Sequence, residues 1–168
     1  LFEGNPRKVT TSGKSYVQED VEDVAFMSVY FDTGQMANFH SSWLDPQTIR
    51  RLTVVGDEKM AVFDDTKSSD KLAIHEKGAH ETPPSRDLRQ YDGSVDIYEG
   101  ETVFPPTPSE EPLLRECRHF LDCIKKGDRP ITDGYHAVEI INVLQAAEES
   151  MKAEGKPVEI ELSKGDVS

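Results

Sequence analysis

Val24-Ala25-Phe26-Met27-Ser28-Val29-Tyr30-Phe31 is an unbroken β-prone run, followed by Asp32-Thr33-Gly34-Gln35 and then by Met36 to Leu44. The Asp and Gly of the middle piece suit a tight turn, so the three pieces read as a hairpin. Side chains alternate along a strand, which puts Val24, Phe26, Ser28 and Tyr30 on one face and Ala25, Met27, Val29 and Phe31 on the other. Both faces are largely apolar. An antiparallel sheet with one wet face would alternate apolar with polar. Each side of this sheet therefore calls for a cover: helices on one, a partner domain or second subunit on the other.

Outward from that hairpin the pattern repeats. Arg51 to Val55 rises to the turn Gly56-Asp57-Glu58-Lys59 and Met60 to Phe63 returns, with Gly56 giving the backbone its freedom. Shorter strands are expected at Val9 to Val17, Lys71 to Glu76, Ser94 to Tyr98 and Val158 to Leu162. Residues 65 to 112 carry Thr82-Pro83-Pro84-Ser85 and Phe104-Pro105-Pro106-Thr107-Pro108, which reads as exposed irregular connection. Two helices close the chain. The first takes its cap from Ser109, its apolar stripe from Leu113, Leu114, Cys117, Phe120, Leu121 and Ile124, and its end from Lys125-Lys126-Gly127. The second starts at Thr132 or Asp133, repeats Ala137, Ile140, Ile141, Leu144, Ala147 and Met151, and stops at Glu154-Gly155-Lys156-Pro157. Both stripes are expected to be core faces. The expected class is α+β: an open, mostly antiparallel (mixed) sheet with helices on one face and the other face used for association.

A length of 168 residues fits one domain. Against 19 basic residues stand 32 acidic ones, a net charge of −13, and such a field repels phosphate backbones and anionic lipid headgroups. No nucleic acid and no membrane is expected as a partner. No apolar run approaches the roughly 18 residues that span a bilayer, and no basic-then-apolar leader opens the chain. Cys117 and Cys123, six apart on one helix, sit about 120° apart around it and cannot bridge there. Two free thiols favour a reducing compartment, and the cytoplasm is expected. The opening Leu1-Phe2-Glu3-Gly4 lacks an initiator Met and reads as an internal segment of a longer protein.

Chemical motifs are few. There is no Gly-x-Gly-x-x-Gly, phosphate-binding loop, nucleophile elbow or two-histidine zinc helix in the sequence. His75-Glu76-Lys77-Gly78-Ala79-His80 spaces its histidines by five with a Gly between, so it reads as a solvated strand end, and no metal is expected. His119 reads as a satisfied flank histidine, His136 as surface, and His40 as a structural histidine, with a polar patch on the sheet as its alternative role. Asp64 and Asp65 point to opposite sides if extended, which makes them a strand-end turn and not a shared-proton pair. Richer is Ser41-Ser42-Trp43-Leu44-Asp45-Pro46-Gln47-Thr48-Ile49-Arg50, which joins the only Trp to Asp, Gln, Thr and Arg, groups that grip hydroxylated ligands. The same stretch also reads as a capped loop with Trp43 in the core.

Several stretches together resemble one family: Val-Glu-Asp-Val-Ala at 21–25, Phe-Asp-Thr-Gly-Gln at 31–35, Ser-Trp-Leu-Asp-Pro at 42–46, and Thr-Val-Val-Gly-Asp-Glu-Lys-Met-Ala-Val-Phe-Asp-Asp at 53–65. With the two terminal helices, they resemble the C-terminal domain of the Gfo/Idh/MocA oxidoreductases, the family of glucose-fructose oxidoreductase and inositol dehydrogenase. The resemblance runs from Leu1 to Leu162, with 163–168 as a tail. Trp-Leu-Asp-Pro and Pro-Leu-Leu-Arg-Glu-Cys-Arg-His-Phe-Leu-Asp-Cys-Ile look most like the branch acting on nucleotide-linked amino sugars. The resemblance implies a parent enzyme with an N-terminal Rossmann domain that binds NAD or NADP, and a C-terminal domain whose open sheet lines the substrate pocket and forms subunit contacts in a homo-oligomer.

In that family hydride transfer relies on a Glu-Lys-Pro lysine and an Asp/His pair, and none of those positions is present here. By the same resemblance the chain has no catalytic and no cofactor-binding residue of its own and is inactive alone. The resemblance places substrate contact just before the strand that ends in Val-Val-Gly, which makes Asp45, Gln47, Thr48 and Arg50 candidates, with Trp43 as a wall. Arg50 or Arg51 would pair with the phosphates of a sugar nucleotide, and alternation allows only one of them to do so. The alternative is a stand-alone association module that keeps the fold without the chemistry.

Overall fold

The computed structural model describes residues 4–81 and 95–161. The Thr82-Pro83-Pro84-Ser85 run and the expected tail 163–168 lie outside them. The chain divides into two compact units, with boundaries between Pro46 and Gln47 and between Glu111 and Pro112.

The first unit holds β1 (Pro6–Lys14), β2 (Val24–Phe31), β3 (Met36–Ser42), α1 (Pro112–Lys126), α2 (Gly134–Lys152) and β8 (Val158–Glu159). Its four strands run in the order β3-β2-β1-β8, all pairs antiparallel, with Val29 opposite Val9 on one side and Ala37 on the other. The Ala25/Met27/Val29/Phe31 face is the covered one. Val9, Val29, Ala146, Ala147 and Ile160 form its core, with Met27, Phe31, Val143 and Val158 packed against them. Small residues of α2 make this contact, so the helix lies close to β1.

Local chemistry sets the helix ends. Asp133 caps α2 by accepting the His136 N–H at 2.9 Å. At the other end Glu154 N–H bonds the Met151 carbonyl (3.2 Å) and Gly155 N–H the Ser150 carbonyl (2.8 Å), with Glu154 and Gly155 at φ 61° and 82°. That crossed pair is a Schellman stop, the position a glycine usually starts. One buried hydroxyl ties this helix to the sheet: Ser150 Oγ accepts from Thr11 N–H at 2.8 Å and donates to the Lys156 carbonyl at 2.7 Å.

Two expectations are corrected. The cap of α1 is not Ser109, because the helix begins at Pro112, whose fixed φ and missing N–H suit a first helical position. Nor is the α1 stripe a core face. Leu113, Leu114, Phe120, Leu121 and Ile124 are all exposed, and of its residues only Cys123 is buried. The covered sheet face is taken by α2 and the stripe of α1 is left outside. The stripe of α2 is split, with Ala147 buried but Ile140, Ile141 and Leu144 about half exposed.

The second unit is a meander of β4 (Arg51–Val55), β5 (Lys59–Asp64), β6 (Leu72–Glu81) and β7 (Val95–Val103), in that spatial order and antiparallel throughout. The Gly56 turn closes as expected, with Gly56 N–H on the Lys59 carbonyl at 2.9 Å. β6 and β7 run well beyond the short strands read in the sequence and occupy much of the stretch expected to be irregular. Asp64 is the buried corner. It accepts from Thr66 N–H (3.1 Å), Thr66 Oγ1 (2.6 Å) and the Arg51 guanidinium (3.1 Å), while Asp65 pairs with Lys71 at 2.9 Å. The pair is the strand-end turn that the sequence implied. Among the described residues no helix is long and apolar enough to cross a membrane.

Candidate functional site

The sheet of the first unit ends at a residue that organises two chain segments. Asp23, the residue before β2, is buried. Its N–H donates to the Lys14 carbonyl at 3.0 Å, its carboxylate oxygen Oδ2 accepts from Tyr16 N–H (2.7 Å) and Val17 N–H (2.8 Å), and its carbonyl accepts from Trp43 N–H (2.9 Å). A carboxylate with two backbone N–H groups is well satisfied, which is what permits its burial. Between Val17 and Asp23 the chain reverses through a bridge from Gln18 to Val21 and a left-handed Asp20 at φ 63°. Asp is one of the few types besides Gly that takes that conformation readily.

What this anchor presents is apolar. Trp43 is 84% exposed, Tyr16 70% and Val17 75%, with Val21 and Leu44 nearly half exposed. Placement of Trp43 in the core is therefore ruled out, and its ring is available to a ligand. Asp45, two residues further on, is exposed. Gln47, Thr48 and Arg50 are exposed too, and they fall in the second unit, beyond the boundary after Pro46. Within that unit Arg51 is held by Asp64, so of the two arginines considered for a phosphate, Arg50 is the one that stays in play. The sequence reading missed Asp23, Tyr16 and Val17. No sequence signal marks them, because the partners of the Asp23 carboxylate are backbone N–H groups.

A concave region lies on the open face of the same sheet. A cavity of about 380 Å³ is lined there by Thr10, Ser12, Phe26, Ser28, Asn38 and His40, among others. His40 stacks on Phe26 with centroids 4.5 Å apart and planes 8° from parallel, and Ser28 Oγ bonds Asn38 Oδ1 at 2.7 Å. Beside the cavity the Lys8 ammonium stands 4.9 Å above the Tyr30 ring.

His119, His75 and His136 are accounted for locally. His119 Nε2 accepts the Ile131 N–H at 3.1 Å, which joins α1 to the loop that follows it. His75 Nδ1 pairs with Thr102 Oγ1 at 2.9 Å, and His136 is surface, 3.8 Å from Glu139. No group of three metal-ligating side chains comes together among the described residues. At the N-terminus of α2 the Asp133 carboxylate caps the helix and would repel a pyrophosphate.

The family model for the C-terminal alpha/beta domain of the oxidoreductase family GFO_IDH_MocA matches residues 1–160. The chain belongs to this family. Solved structures with the same fold include an aldose-aldose oxidoreductase from Caulobacter crescentus complexed with glycerol, at 20% identity and TM-score 0.64, covering 94% of this chain and 42% of that one. The UDP-N-acetylglucosamine 3-dehydrogenase GnnA from Acidithiobacillus ferrooxidans follows at 18% identity and TM-score 0.69, covering 91% and 42%. The WlbA dehydrogenase from Bordetella pertussis, in complex with NADH and UDP-GlcNAcA, stands at 15% and 0.61, covering 95% and 40%. This chain therefore spans about two-fifths of the length of these relatives. Among curated proteins none matches the sequence.

Proposed function

We propose that this chain is the substrate-binding and oligomerisation domain of an NAD- or NADP-dependent oxidoreductase that acts on a sugar, polyol or sugar nucleotide in the cytoplasm. The observation that carries the reading is the match of residues 1–160 to the C-terminal domain of an oxidoreductase family, together with oxidoreductases of the same fold that run to more than twice this length. In this reading the chain binds no dinucleotide and is inactive alone. Its partner is a Rossmann domain, which brings the cofactor and, with it, hydride transfer to or from the substrate.

Two features of the fold support a domain built to be covered. The α1 stripe exposes five large apolar side chains, and Phe26 and Met36 are half exposed on the open face of the first sheet. We assign homo-oligomer contact to that sheet face. Substrate contact is assigned to one continuous stretch, with Trp43 as a wall and Asp45, Gln47, Thr48 and Arg50 as polar contacts, the last for a phosphate or carboxylate.

The test is an assay of the natively expressed protein that contains this segment. It should reduce NAD or NADP with at least one of UDP-N-acetylglucosamine, glucose or myo-inositol, while the 168-residue chain alone shows no turnover and no calorimetric binding of NADH. Reduction with none of the three refutes the parent activity. NADH binding by the chain alone refutes the division of labour.

A further inference from the structure

We infer that Tyr16 and Val17 form the second wall of the sugar-binding site, set beside Trp43 by Asp23 acting as a positioning residue. This rests on the substrate reading of Trp43 given above. The argument starts from an energetic oddity. A loop that merely connected β1 to β2 would put its apolar side chains inward and leave its backbone to water. Here the reverse is seen: Tyr16, Val17 and Trp43 point 70%, 75% and 84% of their surface outward, while Asp23, whose carboxylate holds the Tyr16 and Val17 N–H groups and whose carbonyl holds that of Trp43, is buried. Burial of a carboxylate is costly unless hydrogen bonds compensate it. In this loop the compensation comes from the two N–H groups whose side chains are displayed.

The second segment is locked by the same residue. The Asp23 carbonyl holds Trp43 N–H at 2.9 Å, and Ser42 Oγ holds Leu44 N–H at 3.0 Å, so the Trp43 main chain is fixed on both sides of its ring. An aromatic from each segment is thus displayed at one end of one sheet, on a backbone that cannot easily reorganise. Exposed rings carried on a fixed main chain fit the apolar face of a pyranose, and the phenol of Tyr16 supplies a hydroxyl donor and acceptor for its edge. A protein partner would be served as well by flexible apolar groups. The fixed backbone favours a small ring, and the occupant is a sugar ring of the proposed substrate.

The experiment follows the single indole N–H cross-peak of Trp43, unique because the sequence has one Trp, with the amides of Tyr16 and Val17, during titration of the full chain with UDP-N-acetylglucosamine. All three should shift with one common Kd. Tyr16→Ala should weaken that Kd roughly tenfold, the scale of one lost aromatic contact, with the melting temperature unchanged because the side chain is exposed. Asp23→Ala should weaken it as much or more. Asp23→Asn, which keeps an acceptor oxygen of the same shape, should restore most of the affinity, a rescue that general destabilisation would not give. Trp43 shifting while Tyr16 and Val17 stay still, with Tyr16→Ala binding as tightly as the wild type, overturns the inference and leaves the substrate reading standing. No shift at any of the three overturns the reading of Trp43 and the inference together.

Discussion

Ser150→Ala is the most informative single change in the first unit. The side chain is fully buried, and its one oxygen makes two bonds, accepting from Thr11 N–H at 2.8 Å and donating to the Lys156 carbonyl at 2.7 Å. Removal of the oxygen strands the Thr11 N–H in the interior, which costs about 1–3 kcal/mol, and the lost bond to the carbonyl adds about 0.5–1.5 kcal/mol. The sum is roughly 2–4 kcal/mol. For a unit on the order of 100 residues this lowers the melting midpoint by about 10 °C or more. Thr11 provides the control at the same spot. Its own hydroxyl is buried without a partner, so Thr11→Val, which removes it and keeps the shape, should be neutral or stabilising. Urea unfolding followed by circular dichroism gives the free energies, and hydrogen exchange reads the Thr11 amide directly. It should be protected in the wild type and exchange much faster in Ser150→Ala. A loss below about 0.5 kcal/mol with the Thr11 amide still protected would refute the argument that this hydroxyl joins helix to sheet.

Three further outcomes are expected. Asp64 has its pKa lowered by the Thr66 hydroxyl first and then by the Arg51 guanidinium. Its contribution is therefore present above the ordinary carboxylate range near pH 4 and is lost as pH falls through the lowered value, so Asp64→Asn should destabilise the second unit at pH 7 and flatten its acid unfolding. Parallel melts of the two proteins at neutral and acid pH decide this, and equal slopes would count against it. Glu154→Gly should stabilise the chain by about 0.5–1 kcal/mol, because Glu154 sits in the left-handed conformation at the stop of α2, and chemical denaturation would expose a loss instead. Phe26→Lys, on the open sheet face, should shift the mass measured by light scattering from an oligomer toward the monomer while the circular dichroism spectrum is kept. A mass equal to that of the wild type argues for a different interface.

The parts of the fold that could be read from the sequence are those where short-range pattern and burial agree. β2 and β4 match the read spans to the residue, since their β-branched and aromatic runs end at a real Asp-Thr-Gly turn and at Gly56. The end of α2 was readable from Glu-Gly-Lys-Pro for the same local reason. Where the outcome depends on what lies across from an element, pattern reading failed. The α1 stripe has helical spacing and large side chains, and nothing in that spacing tells whether the covering surface is in the same chain. Asp23 was illegible for another reason. A carboxylate that bonds backbone N–H groups six and seven residues away carries no motif, because any sequence supplies N–H groups. Trp43 was legible as a candidate but not as an exposed one, because a lone Trp beside a strand fits a core and a binding surface equally well.

These exposures bear on how the domain works. The largest fully buried side chains among the described residues are Val9 and Ser150, one small apolar group and one polar one. By contrast, the α1 stripe, the open sheet face and the end around Trp43 all hold large apolar groups near half exposure or above. At about 25 cal/mol per Å² of apolar surface, covering one such face gains several kcal/mol, comparable to the net stability of a whole domain. Binding to the folded chain but not the unfolded one raises stability by mass action. The three faces differ in what they ask of an occupant. A helix stripe of Leu, Phe and Ile fits a packed domain, a sheet face with stacked Phe26 and His40 fits another flat surface, and fixed aromatics at a sheet end fit a small ring. In the proposed enzyme the natural occupants are the Rossmann domain, the second subunit and the sugar, so a variant that removes one apolar face should weaken one of these associations and leave the other two in place.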